Sequence, residues 1–402
     1  MIRKIDANIL AQASTPSVVD LHMRQLSVRP ILPLPVRMQA DVSSRGKGVC
    51  IAMIDSDFVQ HPDLMQPFNR IVQYYDAVMD MSADLPPIVP TSRHWHGTMT
   101  ACTAAGNGYL SQGEFTSLAP SATVVMIRTM DENGRVLTDV IVRALEYVRS
   151  HAKTYGIRVV NMSVYADELD QSLEHPVTKL VEELIGRGIV IVAASGNNPF
   201  APIRPPASAP SAITVGGLDD KNTLDSNDED LYHSTFGITE LGIQKPDLIA
   251  PAISLPAPIL PQTAVHREAA ALCAMDSMDD LMLIDCAPHL LQYTKLGLSS
   301  DDRDDVIALR AAIDQRLHDE LIASPYYKMV DGTSFAAPIV TSIVAQMLEA
   351  DPDLTPTEVK TILTRTAKLL SQHPQLRQGH GVVQQSAAVR AAREEFSAML
   401  RA

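Results

Sequence analysis

Val49-Cys50-Ile51-Ala52-Met53-Ile54-Asp55 is an unbroken apolar run that ends in a carboxylate. A run without polar alternation reads as a strand buried on both faces, the kind found in parallel sheets covered by helices. Comparable runs lie at 123–127, 158–163, 189–194 and 212–216. Helical stretches fall between them. One spans 138–151, with Val140, Ile141, Ala144, Leu145 and Val148 on one face, and another spans 176–187. Strand and helix alternate, which predicts an α/β fold: a three-layer, mainly parallel sheet flanked by helices.

The chain around this run has 402 residues and a 46% hydrophobic fraction, enough for a large core. Aromatics make up only 4%, so that core is aliphatic and alanine-rich. The net charge of −14 argues against broad nucleic-acid binding and against a polybasic membrane patch. No apolar run reaches the roughly 18 residues of a membrane span. The opening Met1-Ile2-Arg3-Lys4-Ile5-Asp6 lacks the apolar core of a secretory signal. Cys50, Cys102, Cys273 and Cys286 stand far apart and form no C-x-x-C pair. Together these features lead to the expectation of reduced thiols in a cytoplasmic protein.

Composition divides the chain into three parts. Residues 1–45 are weakly periodic and contain Pro30, Pro33 and Pro35, and read as an extended arm. Residues 46–255 and 326–402 carry the α/β pattern. Residues 256–325 read as a helical insertion that opens on the stiff Pro256, Pro258 and Pro261. Within it, Val306, Leu309, Ile313, Leu317 and Leu321 recur at helical spacing after the capping candidates Ser299, Ser300, Asp301 and Asp302. That stripe must bury its face within the protomer, in a homodimer or against a partner. Two more helices are expected at 333–350 and 355–369.

Four segments carry chemistry. Asp55 ends the first strong strand, at the sheet edge where sites of open α/β sheets form. His96-Gly97-Thr98 opens a helical stretch of small residues. Ser195-Gly196-Asn197-Asn198 follows the strand 189–194 at the same edge. Gly332-Thr333-Ser334-Phe335-Ala336-Ala337-Pro338 precedes a helix, so Ser334 falls at a helix N-terminus that favours negative charge. Taken singly, Asp55 reads as a turn cap and His96 as a structural histidine. Together they make a proton-transfer chain. Serine needs a neutral imidazole to become a nucleophile, and the imidazole needs a carboxylate to fix its tautomer. Asn197 and the Ser334 backbone N–H are donors for the resulting oxyanion.

These motifs, in this order, resemble subtilisin-like serine proteases, and the chain is closest in character to intracellular subtilisins. His61-Pro62-Asp63-Leu64, Ala119-Pro120, Asn161-Met162-Ser163, Lys245-Pro246-Asp247 and Ala250-Pro251 extend the resemblance, which covers about 47–255 and 326–395. It implies a subtilisin-like fold, with Ser334 as nucleophile, His96 as general base and then acid, Asp55 orienting His96, and Asn197 donating to the oxyanion. The implied activity is a serine endopeptidase acting on a protein or peptide substrate, with no nucleic acid or membrane partner. Members usually have glycine at 57, valine at 100 and glycine at 102 and 165; this chain has Asp57, Thr100, Cys102 and Tyr165.

The resemblance also implies that Ser163, Val164 and Tyr165 border the pocket for the residue before the scissile bond. Ile203-Arg204-Pro205-Pro206-Ala207 matches the back of that pocket. Arg204 aimed inward would pair with a carboxylate, and Tyr165 would shrink the space, which together predict cleavage after Asp or Glu. The Pro-rich 29–36 segment has the extended character of a strand that adds across a cleft, so the arm is a candidate inhibitor.

Other motifs fail. No G-x-S-x-G and no Walker A segment is present. His94 and His96 have metal-like spacing but no further ligands. The loop Asp225-Ser226-Asn227-Asp228-Glu229-Asp230 is oxygen-rich, as calcium loops are, yet lacks the EF-hand glycine and spacing, so it reads as a solvated turn; no cofactor is required, and a structural calcium is an alternative that no specific motif supports. Two rival functions share the motifs: a catalytically silent, protease-derived binding protein, and a peptide ligase or cyclase using the same triad.

Overall fold

The computed structural model describes residues 31–91, 93–298 and 305–399. The chain divides into two compact units. One comprises Leu32–Pro258 with Met329–Ala402, and the other contains Ile259–Lys328.

The larger unit is built on a nine-stranded sheet. Its strands are β1 (Cys50–Asp55), β2 (Ile71–Asp76), β3 (Met81–Ala83), β4 (Thr123–Arg128), β5 (Ile157–Met162), β6 (Val190–Ala194), β7 (Ile213–Asp219), β8 (Asp230–Leu231) and β9 (Leu248–Pro251). The order is β9-β7-β6-β5-β1-β4-β2-β3, with β8 beside β7. β3 and β8 pair antiparallel at the margins; the rest of the path is parallel. The chain leaves β1 in one direction and returns on its other side as β5. A crevice therefore opens at the carboxyl ends of β1 and β5, the switch point where open sheets hold their sites.

β1 shows why an unbroken apolar run makes such a strand. Ile51 and Met53 enter the core on one face of the sheet, and Cys50, Ala52 and Ile54 enter the core on the other. The first core is covered by α2 (Trp95–Ala105) and α5 (Thr333–Ala350), the second by α3 (Thr138–Tyr155) and α4 (Pro176–Gly186). The expected three-layer architecture is present. Small residues let α2 and α5 approach closely, and the Ser342 hydroxyl donates to the Ala104 carbonyl at 2.6 Å.

Residues 1–30 of the proposed arm lie outside the described residues. The reading of an extended arm does not hold for residues 32–45. Leu34–Arg37 forms a helical turn, α1, with Leu34 buried in the core. The buried Arg37 pairs with Asp220 and donates to the Ser254 carbonyl at 2.8 Å. Beyond it, Asp41 pairs with Arg393 at 2.8 Å on α6 (Gln385–Met399). Those distant partners turn a proline-rich stretch into a strap on the sheet unit.

The smaller unit holds helices Ala264–Asp276, Asp280–Leu290 and Val306–Asp319, and a hairpin pairing Ile322 with Lys328. The boundary expected at 256–325 falls at 259–328. The predicted stripe buries Leu309, Ile313 and Leu317 against Leu272, Met275, Leu283 and Leu291 of the same unit. Leu321 is 37% exposed, since the helix has already ended at Asp319. Asp305 caps this helix by accepting from Ala308 N–H at 2.9 Å; the four expected caps, 299–302, lie outside the described residues.

Candidate active site

Asp55, at the end of β1, is fully buried. A carboxylate is stable there only if its lone pairs are met. Oδ1 accepts the Ser56 N–H at 2.6 Å and lies 2.6 Å from His96 Nδ1. Oδ2 accepts the Thr100 hydroxyl at 2.7 Å. Because a carboxylate only accepts, Nδ1 carries the proton and the lone pair of neutral His96 is at Nε2. Burial pulls the His96 pKa down, but the charge of Asp55 and its hydrogen bond outweigh this and hold it above the usual 6.5.

His96 is the second residue of α2. Its neighbour Gly97 lies so close to the loop after β1 that an added Cβ would stand 2.3 Å from the Asp57 carbonyl oxygen. The glycine thus lets the helix start dock against the strand end.

Ser334 occupies the first turn of α5, after Gly332, whose φ of +131° suits glycine alone. Its carbonyl accepts the Ser163 hydroxyl at 2.9 Å, and the ring of Phe335 lies 5.8 Å from the His96 ring. Asn197 follows β6 through Gly196. Its Oδ1 accepts both the Thr333 N–H and the Thr333 hydroxyl at 2.9 Å, which turns the Nδ2 amide away from them as the free donor. One cavity of about 250 Å³ is lined by Ser163, Val164, Tyr165, Gly196, Asn197 and Ser334.

Arg204 is the exception among the expected pocket residues. Its guanidinium lies 5.6 Å from the Tyr165 ring centre and donates to the Asp167 carbonyl at 2.9 Å. The side chain is spent on the rim segment and does not line the cavity, so the expected aim into the pocket is corrected. Tyr165 does border the cavity, with 59% of its surface exposed.

Two features escaped sequence reading. Asp57 is buried beside the site. Its Oδ1 accepts Phe58 N–H at 2.8 Å and the Tyr74 hydroxyl at 3.1 Å, while Oδ2 faces His94 Nε2 at 3.4 Å and Arg128 Nε at 3.3 Å. Burial opposes its charge, yet His94, the Phe58 N–H and the Arg128 guanidinium hold its pKa below the usual range. His94 Nε2 is therefore taken up by Asp57. The second feature is the Thr100 contact. Its signal was present in the spacing, since residues four apart share a helix face. His61, Asp63 and Cys102 form a buried trio: His61 Nδ1 accepts the Asp63 N–H at 3.2 Å, Asp63 Oδ1 accepts the Leu110 N–H at 3.1 Å, and Cys102 Sγ lies 3.7 Å from His61 Nδ1.

Fold and edge together define a class: a helix-flanked parallel sheet that brings an aspartate–histidine pair, a helix-start serine and an asparagine amide to one carboxyl-end crevice. Residues 46–381 match the subtilase family of peptidases, and the chain belongs to that family. It is 29% identical over 329 residues to serine protease AprX of Bacillus subtilis (strain 168), covering 79% of this chain and 61% of AprX. It is 28% identical over 277 residues to the thermophilic serine proteinase of Bacillus sp. (strain AK1), covering 68% of this chain and 58% of that protein. The chain thus spans about three-fifths of the length of these curated relatives. Among solved structures, fervidolysin of Fervidobacterium pennivorans shares the fold, with a TM-score of 0.58 at 19% identity, covering 97% of this chain and 48% of fervidolysin. No described helix is long and apolar enough to cross a membrane.

Proposed function

We propose that this protein is a serine endopeptidase in which Ser334 attacks the peptide carbonyl, His96 takes and returns the proton, and Asp55 orients His96. The observation that carries the reading is the Asp55–His96 contact of 2.6 Å at the same crevice as a cavity lined by both Ser334 and Asn197. His96 Nε2 holds the lone pair a general base needs. As Ser334 Oγ attacks, its proton passes to Nε2, and the imidazolium is stabilised by the buried Asp55 charge. The carbonyl oxygen becomes an oxyanion. Asn197 Nδ2 and the Ser334 backbone N–H at the start of α5 are fixed donors for it, and removing such a side-chain donor costs about 10²–10³-fold in turnover, a magnitude measured in subtilisin, a member of this family. His96 then returns its proton to the leaving amine, and water repeats the cycle on the acyl-enzyme.

The family membership and the named serine proteases among its relatives support this reading over a silent binding protein. The test is peptide hydrolysis by Ser334→Ala and His96→Ala. Each is expected to lose nearly all turnover while staying folded, because the three residues act as a unit. Undiminished hydrolysis by purified Ser334→Ala would end the reading.

A further inference from the structure

Thr100 stands where the resemblance has valine, and its hydroxyl faces the buried carboxylate of Asp55. It is fully buried on α2, one turn beyond His96. Its Oγ lies 2.7 Å from Asp55 Oδ2 and 3.0 Å from the Gly97 carbonyl oxygen. One hydroxyl carries one proton. The carboxylate is the stronger acceptor and the nearer one, so the proton goes to Asp55. The hydrogen bonds to Oδ1 come from Ser56 N–H and His96 Nδ1–H, and the Thr100 hydroxyl meets Oδ2.

We propose that Thr100 is a positioning residue of the active site, fixing the plane of the Asp55 carboxylate through Oδ2 so that Oδ1 stays aimed at His96. The proposal rests on the assignment of Asp55 and His96 to catalysis. Without the hydroxyl, a buried oxygen loses its donor. The carboxylate is then freer to rotate, and its charge is concentrated on the bond to His96. A more basic partner holds the imidazole proton more tightly, so the base becomes available only at higher pH. The neighbouring ionisable groups keep their own partners in the variants: Asp57 faces His94 and Arg128, and Arg128 also pairs with Asp76 and Glu132.

The test uses Thr100→Val, which fills the same volume, and Thr100→Ser, which keeps the hydroxyl. The readout is the rate of inactivation by a fluorophosphonate across pH, a reaction that needs the serine and its base but no particular peptide sequence. A valine variant lacking one charge-assisted hydrogen bond should lose about 5–10-fold in plateau rate, and its midpoint should rise by about 0.5–1 pH unit. The serine variant should keep the wild-type plateau and midpoint. An unmoved or lowered midpoint in Thr100→Val overturns the proposal. So does a Thr100→Ser enzyme with a raised midpoint, since packing would then be the cause. If the wild-type enzyme is not labelled at Ser334, the catalytic assignment itself fails; if labelling is normal and the variants match it, only the role of Thr100 falls.

Discussion

Thr333→Val tests how the Asn197 amide is aimed. The Thr333 hydroxyl does two things at once: it donates to Asn197 Oδ1 at 2.9 Å and accepts the Gly196 N–H at 3.2 Å. Valine keeps the shape and removes both. Gly196 N–H loses this acceptor in a partly buried turn, which costs about 1–2 kcal/mol. Asn197 Oδ1 keeps the Thr333 N–H and its side chain reaches solvent, so its loss adds only a few tenths of a kcal/mol. The expected destabilisation is about 1–3 kcal/mol, read by urea unfolding in a Ser334→Ala background that prevents self-cleavage. Turnover should fall about tenfold with KM little changed, because a loosened amide forfeits part of the oxyanion stabilisation. Thr333→Ser should recover both. Thr333→Val with unchanged unfolding midpoint and unchanged turnover would refute the reasoning.

Three further outcomes are expected. Because Asp55 holds the His96 pKa above 6.5, the acid-side midpoint of kcat/KM should lie above that value; the stability of this charged pair is fully present below about pH 6.5 and lost as pH rises through the raised pKa. A midpoint at or below 6.5 contradicts it. In a peptide-library digest, Tyr165→Gly should admit larger residues before the scissile bond, whereas Arg204→Ala should change that preference little, since Arg204 does not line the cavity; the reverse pattern would return Arg204 to the pocket. Thiol titration of folded protein should modify Cys273 and Cys286, which are partly exposed, before Cys50 and Cys102, which are buried, the former with its thiol pushed up to about 11. Early modification of Cys102 would show that α2 opens.

The five consecutive strands β7, β6, β5, β1 and β4 and the four motif segments were legible because their signals are local. A strand covered on both faces is apolar along its length, as Cys50–Ile54 of β1 are before Asp55 ends it, and a helix-start serine needs its Gly-Thr before it and its alanines after it. β2 was missed because Gln73 interrupts its apolar run after only Ile71 and Val72; Val72 is exposed and Gln73 half-buried. The strap at 32–45 was misread because its shape is set by Asp220, Glu349, Gln385 and Arg393, all far away in sequence. Arg204 was misjudged for the same reason: the resemblance placed its backbone, but the Tyr165 ring and Asp167 carbonyl determine where its guanidinium goes. Asp57 and Thr100 were visible as departures from the family pattern. Their use became clear only once the fold brought His94 to one and Asp55 to the other.

The central claim is that Ser334 is a nucleophile activated by His96 and Asp55. Fluorophosphonate labelling of the full chain, with the modified residue located by mass spectrometry, tests it without knowledge of the substrate. The account predicts one phosphonylated residue, Ser334, with labelling abolished in Ser334→Ala and nearly abolished in His96→Ala. Labelling at a different serine, or an unmodified Ser334 in folded wild-type protein, would contradict it.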